Sequence, residues 1–168
     1  MSAVMKLRKS LIAMSLLIAA ASLRPDLAVS EEAETDPPIA IVVHPDTAIS
    51  DLTLDELREI FLADQLYWPD HSRIVLLVRA PTAYERKFVL DRIYRMSEAD
   101  FRSYWIKKMF RAEVPSGPRV VFSNNMAIGL VTAIPGSIAF MQASDVTPDV
   151  KVLRIDGKLP SEAGYPLR

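Results

Sequence analysis

A run of apolar residues that gives way within four positions to a helix-starting signal is the feature that most constrains this chain. It lies at residues 74–88, IVLLVRAPTAYERKF. Ile74 to Val78 is apolar without alternation and rich in β-branched side chains, which predicts a strand buried on both faces and therefore a sheet with helices on each side. The run stops at Arg79, and Pro81 breaks the ladder. Thr82-Ala83-Tyr84-Glu85 then has the S/T-x-x-E form of a capping box, which predicts a helix from Ala83 to Tyr94 with Thr82 as its N-cap. A strand that feeds a helix through so short a turn aims the free N–H groups of the first helical turn outward from the strand's C-terminal end. Open α/β sheets hold their ligands there, and the positive end of the helix dipole favours an anion. Arg79 flanks the turn. Arg86, one turn into the helix, tilts back toward it because helical side chains lean toward the N-terminus. Glu85 works against an anion, since a first-turn carboxylate already satisfies the dipole and repels a second negative charge unless both arginines offset it. The spacing leaves a plainer reading open, in which Arg79 and Arg86 are solvated or paired with Glu85.

The N-terminal thirty residues read as an address. Lys6, Arg8 and Lys9 form a basic region, Ser10 to Leu23 is apolar, and Ala28-Val29-Ser30 is a small-x-small cleavage site before Glu31. Residues 1–30 are expected to be a signal peptide, the alternative being an uncleaved N-terminal anchor. Its removal takes four of the 20 basic and one of the 21 acidic residues, leaving 16 against 20, a net charge of −4. A mildly acidic domain is a poor general binder of nucleic acid, because that affinity comes from Lys and Arg neutralising phosphates. Any anion site must therefore be local. Export of a chain with no cysteine suits a bacterial periplasm and a core large enough to dispense with disulfides.

Residues 31–38 (EEAETDPP) have little to bury and are expected as a disordered lead-in to a single domain at 39–168. Ile39 to Val43 predicts a first buried strand ending at His44. Thr53-Leu54-Asp55-Glu56 is a second capping box, heading an amphipathic helix through Leu57, Ile60 and Phe61. Ser97 caps a third helix in which Phe101, Tyr104, Trp105 and Met109 fall at core-facing spacing, with Phe61 and Trp105 expected between helix and sheet. Arg119 to Phe122 predicts a short strand, after which Ser123 caps a fourth helix through Ala127, Ile128, Leu130 and Val131. Ser137 to Met141 and Val150 to Ile155 predict the last strands. Strands alternating with helices indicate an α/β domain with a largely parallel sheet and covering helices. Ser123, Asn124 and Asn125 make a second strand-to-helix junction that can face the first across one crevice.

His44 and His71 stand apart from any carboxylate at metal-ligand spacing, and no G-x-S-x-G elbow, Walker loop or G-x-G-x-x-G is present. The pattern implies no metal, no cofactor and no catalysis. Ile39 to Val43 with His44-Pro45, then Leu52-Thr53-Leu54-Asp55-Glu56-Leu57, Ile60-Phe61-Leu62, Trp68, Val78-Arg79, Phe88 and Pro135-Gly136-Ser137-Ile138-Ala139-Phe140 follow one another in an order that resembles the periplasmic phosphate-binding proteins of phosphate ABC transporters. The similarity covers most of the chain after residue 38 and implies one lobe of a type II periplasmic binding protein. It identifies Arg79 with the family's ligand-binding arginine and puts Thr82, Ala83 and Tyr84 where the family carries Ser-Gly-Thr. The chain departs from the family in length, in lacking the early glycine-rich segment that supplies first-lobe ligand groups, in Tyr84 for a small hydroxyl, in Ala63 for a glycine, and in Ala139-Phe140 for Gly-Tyr.

The resemblance implies a periplasmic binding protein for phosphate or a similar oxyanion, serving an inner-membrane transporter or sensor, with Arg79, Thr82, Ala83, Tyr84, Arg86, Ser123 and Asn124 as anion-binding residues. The competing expectation is a protein-interaction module of the same fold with a decayed anion site, in which exposed aromatics such as Tyr67, Trp68 and Tyr84 contact a partner.

Overall fold

The computed structural model describes residues 37–168, so the expected signal peptide and most of the expected lead-in lie outside the described residues. Seven strands and four helices follow in the order β1 (Ile39–Val43), β2 (Asp51–Leu52), α1 (Leu54–Phe61), β3 (Val75–Arg79), α2 (Tyr84–Val89), α3 (Glu98–Phe110), β4 (Arg119–Val121), α4 (Asn124–Ala133), β5 (Ser137–Gln142), β6 (Lys151–Val152) and β7 (Arg154–Ile155). The main sheet runs β4-β3-β5-β1-β6, and β2 pairs with β7 in a small second sheet. β3 is parallel to both β4 and β5, and β2 is parallel to β7, while β1 runs antiparallel to β5 and β6. The fold is α/β with a mixed, mostly parallel sheet.

The unbroken apolar runs are explained by burial on both faces. Ile39, Ile41, Val43, Leu76, Val78, Ile138 and Phe140 point into one core with α1, α2, α3 and the C-terminal Tyr165 and Leu167. Ala40, Val42, Leu77, Val121, Ala139 and Met141 point into the other, against Ala127 and Val131 of α4. Successive residues of a strand face opposite ways, so both sets must be apolar. Phe61 and Trp105 lie in the first core as expected, Phe61 tilted against Tyr94 and Phe140 with centroids 5.8 and 5.9 Å away.

Helix starts were the most legible local feature. Thr53 forms the full capping box with Glu56, and Ser97 and Ser123 each accept a first-turn N–H, from Asp100 and Met126. Thr82 does not cap its helix. The N-cap of α2 is Ala83, which makes no side-chain capping bond, because the turn after β3 closes through the Ala83 N–H donating to the Ala80 carbonyl at 3.0 Å and this carries Thr82 out to the surface. α2 then passes into a π-helical turn at Leu90–Tyr94 and ends on Arg95 in the left-handed region.

Three further expectations are corrected. Trp68 is 3% exposed, its indole N–H donating to the Gly136 carbonyl at 2.9 Å, so it cannot serve as a surface contact. Met109 is 40% exposed because the helical stripe on α3 drifts out of the core after Trp105. Pro38, expected at the end of the lead-in, already continues the β1–β5 pairing, its carbonyl accepting from the Ala143 N–H at 2.8 Å.

Arg86 ties α2 to α3. Its guanidinium is buried, donates to both oxygens of Glu98 at 2.8 Å and to the Arg79 carbonyl at 2.9 Å, and lies 4.6 Å from the Phe101 ring centre. These Arg86 hydrogen bonds hold the Glu98 carboxyl below its ordinary value near 4.5, against an opposing push from partial burial.

Two sets of measurements check this packing. Phe61→Ala should cost about 3 to 5 kcal/mol in urea unfolding, the range for a buried aromatic. Gly136→Ala should also be strongly destabilising, since Gly136 has φ 79° and an added Cβ would sit 2.3 Å from the Arg73 carbonyl oxygen. A Gly136→Ala protein as stable as wild type would rule out this backbone turn. For Glu98 the folded pKa is depressed, so its contribution is complete above about 4.5 and is lost as pH falls through the folded value. Glu98→Gln should lose about 1 to 2 kcal/mol at pH 7, and its stability should fall less steeply than that of wild type as the medium is acidified below about 4.5.

Candidate anion-binding site

The parallel pairing of β3 with β4 sets the site. Arg79, the last residue of β3, stands opposite Val121, the last of β4, and the Ala80 N–H donates to the Val121 carbonyl at 2.9 Å. The strand-to-helix junctions at 80–83 and 122–124 therefore start from the same rung of the ladder. β5, parallel to β3 on its other side, ends at the same edge, and the short turn Ala143–Asp145 follows it. Arg79, Ser123, Asn124 and Asp145 are thus gathered at the C-terminal ends of three neighbouring strands.

Arg79 carries an unusual burden for a strand-end arginine. Its side chain is 12% exposed, and its Nε and Nη1 are buried without a hydrogen-bond acceptor. Its nearest counter-charge is the carboxylate of Glu85, itself buried, at 3.7 Å from Nε, too far for a hydrogen bond. Buried charged donors left unmade cost several kcal/mol in comparable settings. These two Arg79 donors have no hydrogen-bond partner among the described residues, whereas Arg86, the other expected arginine, has Nε, Nη1 and Nη2 each bonded to Glu98 or the Arg79 carbonyl and does not lean to the turn as a free cation.

The remaining expected residues divide by what their polar groups already do. Thr82 is exposed at the turn with its hydroxyl in no hydrogen bond among the described residues, Ala83 spends its N–H on Ala80, and Tyr84 opens α2 with its ring 6.2 Å from that of Phe88. Thr82, Ala83, Tyr84 and Lys87 are among the residues that line a hollow together with Asp91 and Glu98. Ser123 accepts from Met126 at 3.1 Å, which leaves its own O–H to donate. Asn124 donates through Nδ2 to Asp145, while its Oδ1 is buried without a donor. Asp145 escaped the sequence reading because nothing in Gln142-Ala143-Ser144-Asp145 marks a site. Only the ending of β5 beside β3 brings it here.

Chemically, the edge offers one buried guanidinium with unmet donors and two hydroxyls, with two carboxylates that limit how much negative charge it accepts. Among the described residues no group of three His, Cys, Asp or Glu is placed to hold a metal ion.

No family model and no curated protein matches the sequence. Solved structures do match. An ABC-type phosphate transport receptor from Vibrio cholerae aligns with a TM-score of 0.60 and 18% identity over 74% of this chain and 48% of its own. A putative phosphate ABC transporter substrate-binding protein with bound phosphate from Clostridium perfringens aligns at 0.60 and 17% over 74% and 47%. PstS from Borrelia burgdorferi aligns at 0.62 and 14% over 78% and 54%. The chain spans about half the length of these proteins. Over that half, it has the fold of the substrate-binding proteins of phosphate ABC transporters.

Proposed function

We propose that this chain is an exported binding protein, without catalytic activity, that takes phosphate or a similar tetrahedral oxyanion at the strand ends around Arg79 and serves an inner-membrane transporter or sensor from the periplasm. The carrying observation is the buried guanidinium of Arg79 with Nε and Nη1 lacking acceptors at the C-terminal edge of a mostly parallel sheet. A guanidinium presents donors in a planar fork that fits two oxygens of one anion, which a lysine ammonium cannot do. Thr82, Ser123 and backbone N–H groups at the start of α2 and α4 complete the proposed shell, with Ala83, Tyr84 and Asn124 shaping it. Arg86 contributes by fixing the Arg79 carbonyl and so the end of β3. The fold shared with phosphate-transport binding proteins supports a binding role, and the basic-apolar-small pattern of residues 1–30 supports export.

Affinity should be modest. Glu85 offsets part of the Arg79 charge, and one lobe's worth of ligand groups gives binding on the order of micromolar to millimolar, or about −8 to −4 kcal/mol. A second reading, a protein-interaction module, draws on Phe110 and Phe122, which are 91% and 73% exposed.

Titration calorimetry with phosphate, sulfate and arsenate separates the readings. The wild type should bind at least one of these oxyanions, Arg79→Ala should lose most of the binding, and Glu85→Gln should tighten it by removing a carboxylate from the helix start. Absence of heat with every oxyanion at millimolar concentration, or an Arg79→Ala protein that binds as wild type does, would put the interaction module in its place.

A further inference from the structure

A second cleft opens at the other end of β3, where Arg73 precedes the strand and Arg119 begins β4. It encloses about 280 Å³. Ile60, Leu66, Ile74 and Trp105 are among its walls, and no Asp or Glu lines it. Arg73 and Arg119 are both exposed, and neither forms an ion pair or a side-chain hydrogen bond among the described residues. Trp105 is 6% exposed and its indole N–H meets no acceptor. A buried donor without an acceptor is unfavourable, and one beside two unpaired cations in a cleft free of carboxylates marks a place for an anion.

The walls select what kind. An inorganic oxyanion loses hydration against Ile60, Leu66 and Ile74 and gains nothing from them, whereas an organic acid buries its body there. The volume falls just below the ~300 Å³ at which ligand pockets begin, which suits a small acid and excludes a nucleotide or a folded peptide. We propose that this cleft binds a small organic carboxylate with an apolar body, the carboxylate taken by Arg73 and Arg119 beside the Trp105 indole and the body packed against Ile60, Leu66 and Ile74. This site is separate from the Arg79 edge, and either can fail without the other.

The two tryptophans supply the readout, since each gives one indole N–H resonance in a ¹⁵N-labelled protein, and Trp105→Phe assigns them. Benzoate and octanoate are titrated, with benzamide as the neutral isostere of benzoate. The expected result is a saturable shift of the Trp105 indole resonance by at least one of the acids while that of Trp68, bonded to Gly136, stays still. Benzamide should bind at least tenfold more weakly than benzoate. The double variant Arg73→Ala/Arg119→Ala should keep the wild-type melting temperature, because both side chains are exposed, and lose at least tenfold in affinity. Phosphate should leave the Trp105 resonance unmoved. The proposal is overturned if neither acid gives a saturable shift, if benzamide matches benzoate, or if the double variant binds as wild type does.

Discussion

The structure depends on a sheet whose central strands are covered on both faces. β1, β3 and β5 alternate side chains between two cores, so their central positions are apolar on both faces, and helices must close both sides. Once β3 is held that way, its parallel pairing with β4 and β5 brings three strand ends to one edge. The apolar run stops at Arg79, so a polar side chain of β3 meets the ends of β4 and β5 at that edge. The antiparallel β1 does not alter this, since it enters the sheet beyond β5 and leaves the β4-β3-β5 edge intact.

Two arginines seven residues apart have divided the work of that edge. Arg86 is wholly committed to Glu98 and the Arg79 carbonyl, stacks near Phe101, and locks α2 against α3. Arg79 is held in place by burial while its donors stay unmade, with only Glu85 nearby. The satisfied arginine builds the frame, and the unsatisfied one is the group proposed to bind. The balance is close, because Glu85 and Asp145 bring two carboxylates to an edge proposed to hold an anion.

What could be read from the sequence follows from how local each signal is. Apolar runs without alternation reported double-faced burial, and the box at Thr53 and the cap at Ser97 reported helix starts, because both depend on residues within a few positions. Thr82 misled, since its S/T-x-x-E pattern was overridden by a turn that closes one residue later through Ala80. Tertiary pairing was equally out of reach. Glu98 lies twelve residues from Arg86 with nothing in the intervening pattern to join them, and Trp68 could be recognised as buried only once Gly136, sixty-eight residues away, was seen to accept its indole N–H. Ala63 is a case of the opposite kind: it stands where the resembling family carries glycine, and the backbone keeps the left-handed conformation, φ 54°, that glycine would favour.

The central claim, that the unmet donors of Arg79 are the anion-binding group, is tested most directly by observing its side-chain Nε–H resonance in a ¹⁵N-labelled protein during a phosphate titration. The account predicts a saturable downfield movement of the Arg79 resonance, accompanied by backbone shifts near Ser123 and Asn124, while the Arg86 Nε–H, already bonded to Glu98, stays in place. An Arg79 resonance that does not move while phosphate binds elsewhere, or one that moves no more than that of Arg86, would contradict it.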